Sequence, residues 1–223
     1  AELAALDEAA YLDGLQQQKL DLDAYSAAIT KWRDTARRAG AACPADVHCR
    51  LLLVRCSELK EALAEKATAL AVGVGGLVAK ELHAIAEEIS GKYETIHARL
   101  EVSSTNPNPN PNPNPNPNPN QVSSTNAEEV TAMKEYLASC SVELLKHQEA
   151  IDSELSTRWA LLSSFHHGLP DETFDAMQRT LGWPAKLERV VADAEKQAME
   201  DREAFMEELR QERDRFLTLT PTL

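Results

Sequence analysis

The chain has 223 residues, of which 26% are charged and only 5% are aromatic. Its net charge of -13 disfavours a nucleic-acid backbone or an anionic membrane surface as a partner, because like charges repel. Ala, Leu, Glu, Lys, Gln and Arg fill most positions, a composition that favours helices over strands. We therefore predict an all-α fold, in which long antiparallel helices form an elongated bundle, with no nucleic acid and no membrane as partners.

The chain carries no recognisable targeting segment. Its N-terminus is neither basic nor followed by an apolar stretch and a cleavage site, and no run of eighteen apolar residues occurs. These features predict a cytoplasmic protein. The sequence also begins without Met and inside what already reads as a helix, so we expect a fragment of a longer protein.

The first predicted helical stretch covers about 2–39, with a break or restart between Gly14 and Asp23. In its second part, apolar residues recur at steps of three and four, which is the spacing of one buried helix face. These residues are Leu22, Tyr25, Ile29, Trp32 and Ala36. Gly40 is expected to mark the end of this helix, as glycine commonly does.

A second helix is predicted to begin at Pro44 and to continue to about 100, because proline suits the first turn of a helix. Its weak point is the cluster of Gly73, Gly75 and Gly76, since each glycine costs about 1 kcal/mol relative to alanine inside a helix. We therefore expect a kink or local hinge at this cluster. A phosphate-binding loop is not expected, because no strand precedes the glycines and no Gly-Lys-Ser/Thr follows them.

An Asn-Pro repeat covers 106–120, and the same five residues flank it on both sides. Proline lacks a backbone N–H and disfavours helix in the residue before it, so the repeat is predicted to be a disordered or extended loop. It is interpreted either as a tolerated surface insertion or as a ligand for a proline-recognising domain. It divides the chain into N-terminal helices (1–105), the loop (106–120) and C-terminal helices (121–223).

A third helix is predicted to begin after an N-cap at Asn126, three residues before Glu129, and to end by 168–170. A short helical piece follows. The Gly-Trp-Pro motif at 182–184 is expected to end this helical piece, and its proline is expected to occupy the first turn of a fourth helix. Apolar residues in that helix recur at mostly heptad-like spacing, which is typical of a helix that packs along one seam.

Side chains that could carry chemistry are few and scattered. His166 and His167 are adjacent, so on a helix they point about 100° apart and do not easily bind one metal ion. The cysteines lack CxxC spacing and are interpreted as buried or half-buried free thiols, and the tryptophans as anchors between helices. These residues are Cys43, Cys49, Cys56 and Cys140, and Trp32, Trp159 and Trp183. We predict no catalytic, cofactor-binding or metal-binding residue, no cofactor, and therefore no enzyme activity in this chain.

Several different short segments follow one another along the chain in a recognisable order. They are Tyr-Leu-Asp at 11–13, Asp-Leu-Asp-Ala-Tyr at 21–25, Cys-Pro-Ala-Asp-Val-His at 43–48, 51–60, Lys-Tyr-Glu-Thr-Ile at 92–96, and 182–184 with the charged helix after it. In this order and spacing they resemble the tail of axonemal dynein heavy chains, in the helical-bundle region before the linker and motor ring. The resemblance covers nearly the whole chain apart from the Asn-Pro repeat. That repeat and the glycine cluster depart from the family pattern.

The resemblance implies a structural role in microtubule-based movement of cilia and flagella. A dynein tail anchors the motor, contributes to its assembly and transmits force. Its partners would be dynein intermediate or light chains, or neighbouring heavy-chain tail helices, and its location the cytoskeleton of the axoneme. The ATP-binding modules and the microtubule-binding stalk of that family have no counterpart in this segment.

Two alternatives remain beside the dynein tail. The first is a generic coiled-coil scaffold or tethering protein unrelated to dynein. The second, ranked far lower, is a helical metalloenzyme, which would carry Glu-x-x-His pairs facing inward on two helices.

Overall fold

A computed structural model of the chain describes residues 2–18, 20–42, 46–50, 52–104 and 124–219. Its elements are α1 (Glu2–Ala5), α2 (Glu8–Gln18), α3 (Leu22–Ala42), β1 (Asp46–Cys49), β2 (Leu52–Arg55), α4 (Ser57–Ser104), α5 (Ser124–Ala150), a π-helical turn (Ile151–Leu155), α6 (Ser156–Ser164) and α7 (Asp171–Leu219). Helices account for nearly all of these residues, so the predicted all-α class is confirmed. The Asn-Pro repeat at 106–120 lies outside the described residues.

The chain divides into two compact units. The first unit consists of Ala1–Glu87 and Asp152–Gln178, and the second unit of Glu88–Ile151 and Arg179–Leu223. Helices α4 and α7 each contribute residues to both units. The division of the chain at the Asn-Pro repeat stays a prediction.

The first unit is built around the apolar face of α3. Tyr25, Ile29 and Trp32 are buried at the three- and four-residue steps that the sequence predicted. They pack in one core with residues of α4, of the π-helical turn, of α6 and of the start of α7. The predicted break before α3 is also confirmed, and the Asp21 carboxylate accepts a hydrogen bond from the Ala24 amide at 2.8 Å. Such a side-chain acceptor satisfies one of the free N–H groups at a helix start.

The region before α4 differs from the prediction. The helix expected to begin at Pro44 is wrong for 46–55, where β1 and β2 form an antiparallel hairpin with Val47 opposite Val54. Pro44 itself lies outside the described residues. Arg50 has a φ of 56°, the left-handed conformation that two-residue hairpin turns require. Branched residues on both sides of that turn suit paired strands better than a helix.

The second unit contains the later part of α4, together with α5 and most of α7. Its buried residues recur at helical spacing on all three helices. They include Ile89, Tyr93, Ile96 and Leu100 on α4, Leu137 and Cys140 on α5, and Trp183, Leu187, Ala194 and Ala198 on α7. Helix α5 begins at Ser124, close to the predicted start, and the side chains of Asn126 and Glu129 lie outside the described residues.

The predicted interruption at 182–184 is wrong. Helix α7 continues through Pro184, so proline does not open a new helix there. A proline inside a helix removes one backbone hydrogen bond and costs about 3 kcal/mol. The neighbouring Trp183 is only 7% exposed, and its burial offsets a cost of this size. By contrast, the predicted end of the preceding helix before 168–170 is confirmed, because α6 ends at Ser164.

Candidate functional site

Within the described part of the chain, no group of three or more His, Cys, Asp or Glu side chains could hold a metal ion. The sequence does contain one Glu-x-x-His pair, Glu94 and His97. The Nδ1 atom of His97 lies 3.4 Å from the Glu101 carboxylate, and its ring packs edge-on against Trp183 at 5.6 Å. The metalloenzyme alternative requires such a pair on two helices, whereas this sequence supplies one.

The adjacent histidines lie just beyond the end of α6 rather than on a helix. His166 is exposed and adopts a φ of 51°, whereas His167 is half-buried. Burial, together with the nearby charge of Arg33, lowers the pKa of His167 below its usual range. These surroundings favour the neutral form of the His167 ring, which packs close to the α4 backbone at Gly75.

The glycine cluster of α4 serves close packing. The helix is continuous through the cluster, so the glycines do not end it, and the predicted kink or hinge stays a prediction. A Cβ atom at Gly73 would lie 2.6 Å from Leu12 Cδ1, and one at Gly75 would lie 2.6 Å from His167 Nδ1. Gly73 and Gly75 therefore let α2 and the segment after α6 approach the α4 backbone closely, whereas Gly76 has nothing within 4 Å.

A polar network connects α3, α4 and α6 in the first unit. The Tyr25 hydroxyl donates a hydrogen bond to Glu81 Oε1 at 2.7 Å, and Arg158 Nε lies 3.4 Å from Glu81 Oε2. Burial and the hydrogen bond to Glu81 raise the pKa of Tyr25 to about 12. The Glu81 carboxylate thus accepts hydrogen bonds from a phenol and a guanidinium, one at each oxygen, and joins the three helices.

The second unit has a cluster of rings around Trp183. The Trp183 Nε1–H donates a buried hydrogen bond to Ser90 Oγ at 2.8 Å, and the Trp183 ring stacks on Tyr93 with centroids 6.3 Å apart. His147 packs edge-on against Tyr93 at 5.4 Å. Burial, followed by the charge of Lys92, lowers the pKa of His147. This cluster joins α4, α5 and α7 and confirms that Trp183 is an anchor between helices.

A second group of contacting side chains in this unit consists of Arg99, Tyr136 and Cys140. The Arg99 guanidinium lies 3.8 Å from the centre of the Tyr136 ring. Burial and a hydrogen bond with Cys140 raise the pKa of Tyr136 to about 12, and burial raises the pKa of Cys140. A thiol with a raised pKa is a poor nucleophile, so Cys140 packs as a small apolar residue.

Two predictions about single side chains require correction. Cys49 is exposed rather than buried or half-buried, because it lies at the end of the hairpin strand β1. Trp159 is 37% exposed, so it is a surface residue of α6 rather than an anchor between helices like Trp32 and Trp183. Cys43 lies outside the described residues.

Two depressions lie on the surface of the described part of the chain. One is lined by Lys31, Asp34, Arg37 and Arg38 of α3, and another by residues of α7 between Ala192 and Glu203. Each of these depressions is lined by a single helix. An open groove on one helix cannot surround a small molecule as an enzyme pocket does.

Helix α4 also contains an apolar stretch long enough to cross a membrane. A window of eighteen residues within Ser57–Glu101 has a mean hydropathy of 1.4, and half of it is buried against the rest of the chain. Length and composition alone do not separate a membrane span from the core helix of a water-soluble protein.

Comparisons with protein-family models and with curated proteins found no match.

The contacts described above could mostly not be predicted from the sequence, because their partners are distant along the chain. Ser90 is the exception that a pattern could have revealed. It is a polar residue directly beside Ile89 on the buried face of α4, and a buried hydroxyl there requires a partner.

Proposed function

We propose that the chain is a non-catalytic structural segment, which positions partner helices and transmits force along its length. The observation that carries this proposal is the presence of two helices of 48 and 49 residues, α4 and α7. Buried side chains recur along most of α4 and the first half of α7, so each is supported over much of its length. Hydrogen-bonded helices packed side by side resist extension far better than a solvated coil.

The polar groups support the same conclusion. Tyr25 and Arg158 both donate hydrogen bonds to Glu81, Arg158 donates another to the Glu154 carbonyl, and Trp183 donates to Ser90. Catalytic groups, in contrast, converge on a space that a substrate can occupy. These networks are therefore interpreted as clamps between helices.

We infer further that this segment belongs to the tail of an axonemal dynein heavy chain. The support is the order of the short segments that resemble such tails, from the Tyr-Leu-Asp at 11–13 to the motif at 182–184. Its partners would then be dynein intermediate or light chains or neighbouring tail helices, within the axoneme of a cilium or flagellum. A generic coiled-coil scaffold or tether is the second candidate, favoured by the heptad-like spacing in α7.

Extending the transcript downstream distinguishes the two candidates. A dynein heavy chain requires several AAA-type modules with P-loops after this segment. A stop codon, or a continuation without such modules, would remove the dynein assignment and leave the scaffold. Binding of purified dynein intermediate chain to the immobilised chain provides an independent measurement.

A further inference from the structure

The C-terminal part of α7 carries an apolar stripe with a period of eleven residues. One row consists of Leu187, Ala198 and Leu209, and the next of Ala194, Phe205 and Phe216. An eleven-residue period equals 3.67 residues per turn, so both rows stay on one face of a nearly straight helix. The stripe therefore continues on a single face through the end of α7.

Burial of the stripe's side chains decreases toward the C-terminal end of α7. Ala194 and Ala198 are 7% and 6% exposed, so they belong to the core of the second unit. Phe205 and Leu209 are half-buried, and Phe216, the last residue of the stripe, is 61% exposed. The helix thus presents large apolar side chains to solvent from Phe205 onward.

Opposite charges follow the two sides of the stripe. Asp201 and Glu212 lie on one side, and Arg202 and Arg213 lie on the other, each about 50° from the centre of the stripe. All four residues are exposed. Each acid is directly followed by a base in the sequence. The two residues of a pair therefore differ in height along the helix axis by only about 1.5 Å, the rise of one residue.

This arrangement determines which orientation of a second copy is favourable. In a parallel pair, the two-fold axis follows the helices and places the acidic side of one helix beside the basic side of the other. In an antiparallel pair, the axis is perpendicular to both helices and places acid beside acid and base beside base. Charges beside the seam set the orientation of paired helices, so the parallel arrangement is favoured.

We propose that the stripe from Phe205 to Phe216 is an interface for self-association, with α7 of a second copy packed parallel and in register. This inference does not depend on the function proposed above. Asp201 would pair with Arg202 of the second copy, and Glu212 with Arg213. Arg213 already contacts Asp214 at 2.7 Å, but both side chains are about two thirds exposed, and such a pair contributes little stability. Arg213 can therefore leave Asp214 and pair with Glu212 of the second copy at little cost in stability.

Sedimentation equilibrium of the full chain over a range of concentrations tests the self-association. The mass should rise from that of one chain toward twice that value. Leu209→Glu places a charge in the centre of the seam and should weaken association by about tenfold or more. Met199→Glu is the matched control, because Met199 is 62% exposed and lies away from the stripe, and it should leave association unchanged. A wild-type chain that stays monomeric, or equal effects of the two variants, would overturn the proposal.

A charge exchange tests the orientation. Arg202→Glu combined with Arg213→Glu makes both sides of the stripe acidic, which should dissociate a parallel pair. The control exchanges the residues within each pair, as Asp201→Arg, Arg202→Asp, Glu212→Arg and Arg213→Glu, and retains the net charge and the association. Circular dichroism verifies that every variant keeps its helices. If the all-acidic variant associates as strongly as the wild type, the parallel arrangement is wrong.

Discussion

The two units join their helices through different kinds of polar contact. In the first unit, the Glu81 carboxylate joins Tyr25 and Arg158, and the side chains of Glu81 and Arg158 are 34% and 21% exposed. In the second unit, Trp183 and Ser90 share a fully buried hydrogen bond between neutral groups. Charged pairs near solvent are screened, whereas a large buried ring contributes mainly through packing. We therefore expect the second unit to be more sensitive to the loss of its central side chain.

The largest effect is expected for Trp183→Ala. Removing this ring leaves a cavity and an unpaired Ser90 hydroxyl, so the free energy of unfolding should fall by about 3–5 kcal/mol. Urea unfolding of the full chain, followed by circular dichroism, measures the change. Trp159→Ala is the control, because Trp159 is 37% exposed, and its loss should cost less than about 1 kcal/mol. Similar losses at the two positions would contradict the anchoring role of Trp183.

A smaller effect is expected for Glu81→Ala in the first unit. The substitution leaves Tyr25 and Arg158 without their shared acceptor, and the free energy of unfolding should fall by about 1–3 kcal/mol. The control is Glu88→Ala, which removes only an exposed, solvent-screened pair with Lys92 and should leave the free energy of unfolding nearly unchanged. A loss at Glu81 as large as that at Trp183 would remove the contrast between the units.

The glycine cluster provides a comparison within one helix. Gly75→Ala should destabilise the chain by about 1–3 kcal/mol, because the new Cβ meets the His167 ring at 2.6 Å. Gly76→Ala meets nothing within 4 Å and should stabilise the helix by about 1 kcal/mol. Thermal unfolding of the two variants measures both signs. Stabilisation by both substitutions would show that close approach is not required at Gly75.

The smallest effects are expected from histidine protonation. Both units contain a histidine whose pKa is lowered by burial, His167 in the first and His147 in the second. A group with a lowered folded pKa contributes stability above its unfolded pKa of about 6.5, and this contribution is lost as the pH falls. Stability should therefore decrease from pH 7 to pH 5. Replacing each histidine with Asn should reduce this decrease, and a variant with the full wild-type decrease would exclude its histidine as a cause.

Local patterns predicted the elements that depend on one helix face. The spacing of Tyr25, Ile29 and Trp32 identified the buried face of α3 because it reflects a periodicity within one segment. The role of Gly75 could not be predicted, since the closely packed partner, His167, is distant in sequence. The sequence near Gly75 indicates only that glycine destabilises a helix, and it does not show that another segment packs closely there.

Pro184 and the hairpin were predicted wrongly for related reasons. Proline rules describe the isolated helix, whereas burial of the adjacent Trp183 favours a continuous α7. The strands of the hairpin have four residues each, which is too short for alternation to be distinguished from a helical pattern. The clamp of Tyr25 and Glu81 likewise joins positions that no local pattern connects.

The exposure of Cys49 has a practical consequence. Among the cysteines in the described ranges, Cys49 is exposed, Cys56 is half-buried and Cys140 is buried. Maleimide dyes react with accessible thiolates, and the raised pKa of Cys140 slows its reaction further. Among these three thiols, brief labelling near neutral pH therefore favours the one on the hairpin, which could carry a fluorophore as an optical marker for single-molecule imaging without a fused tag.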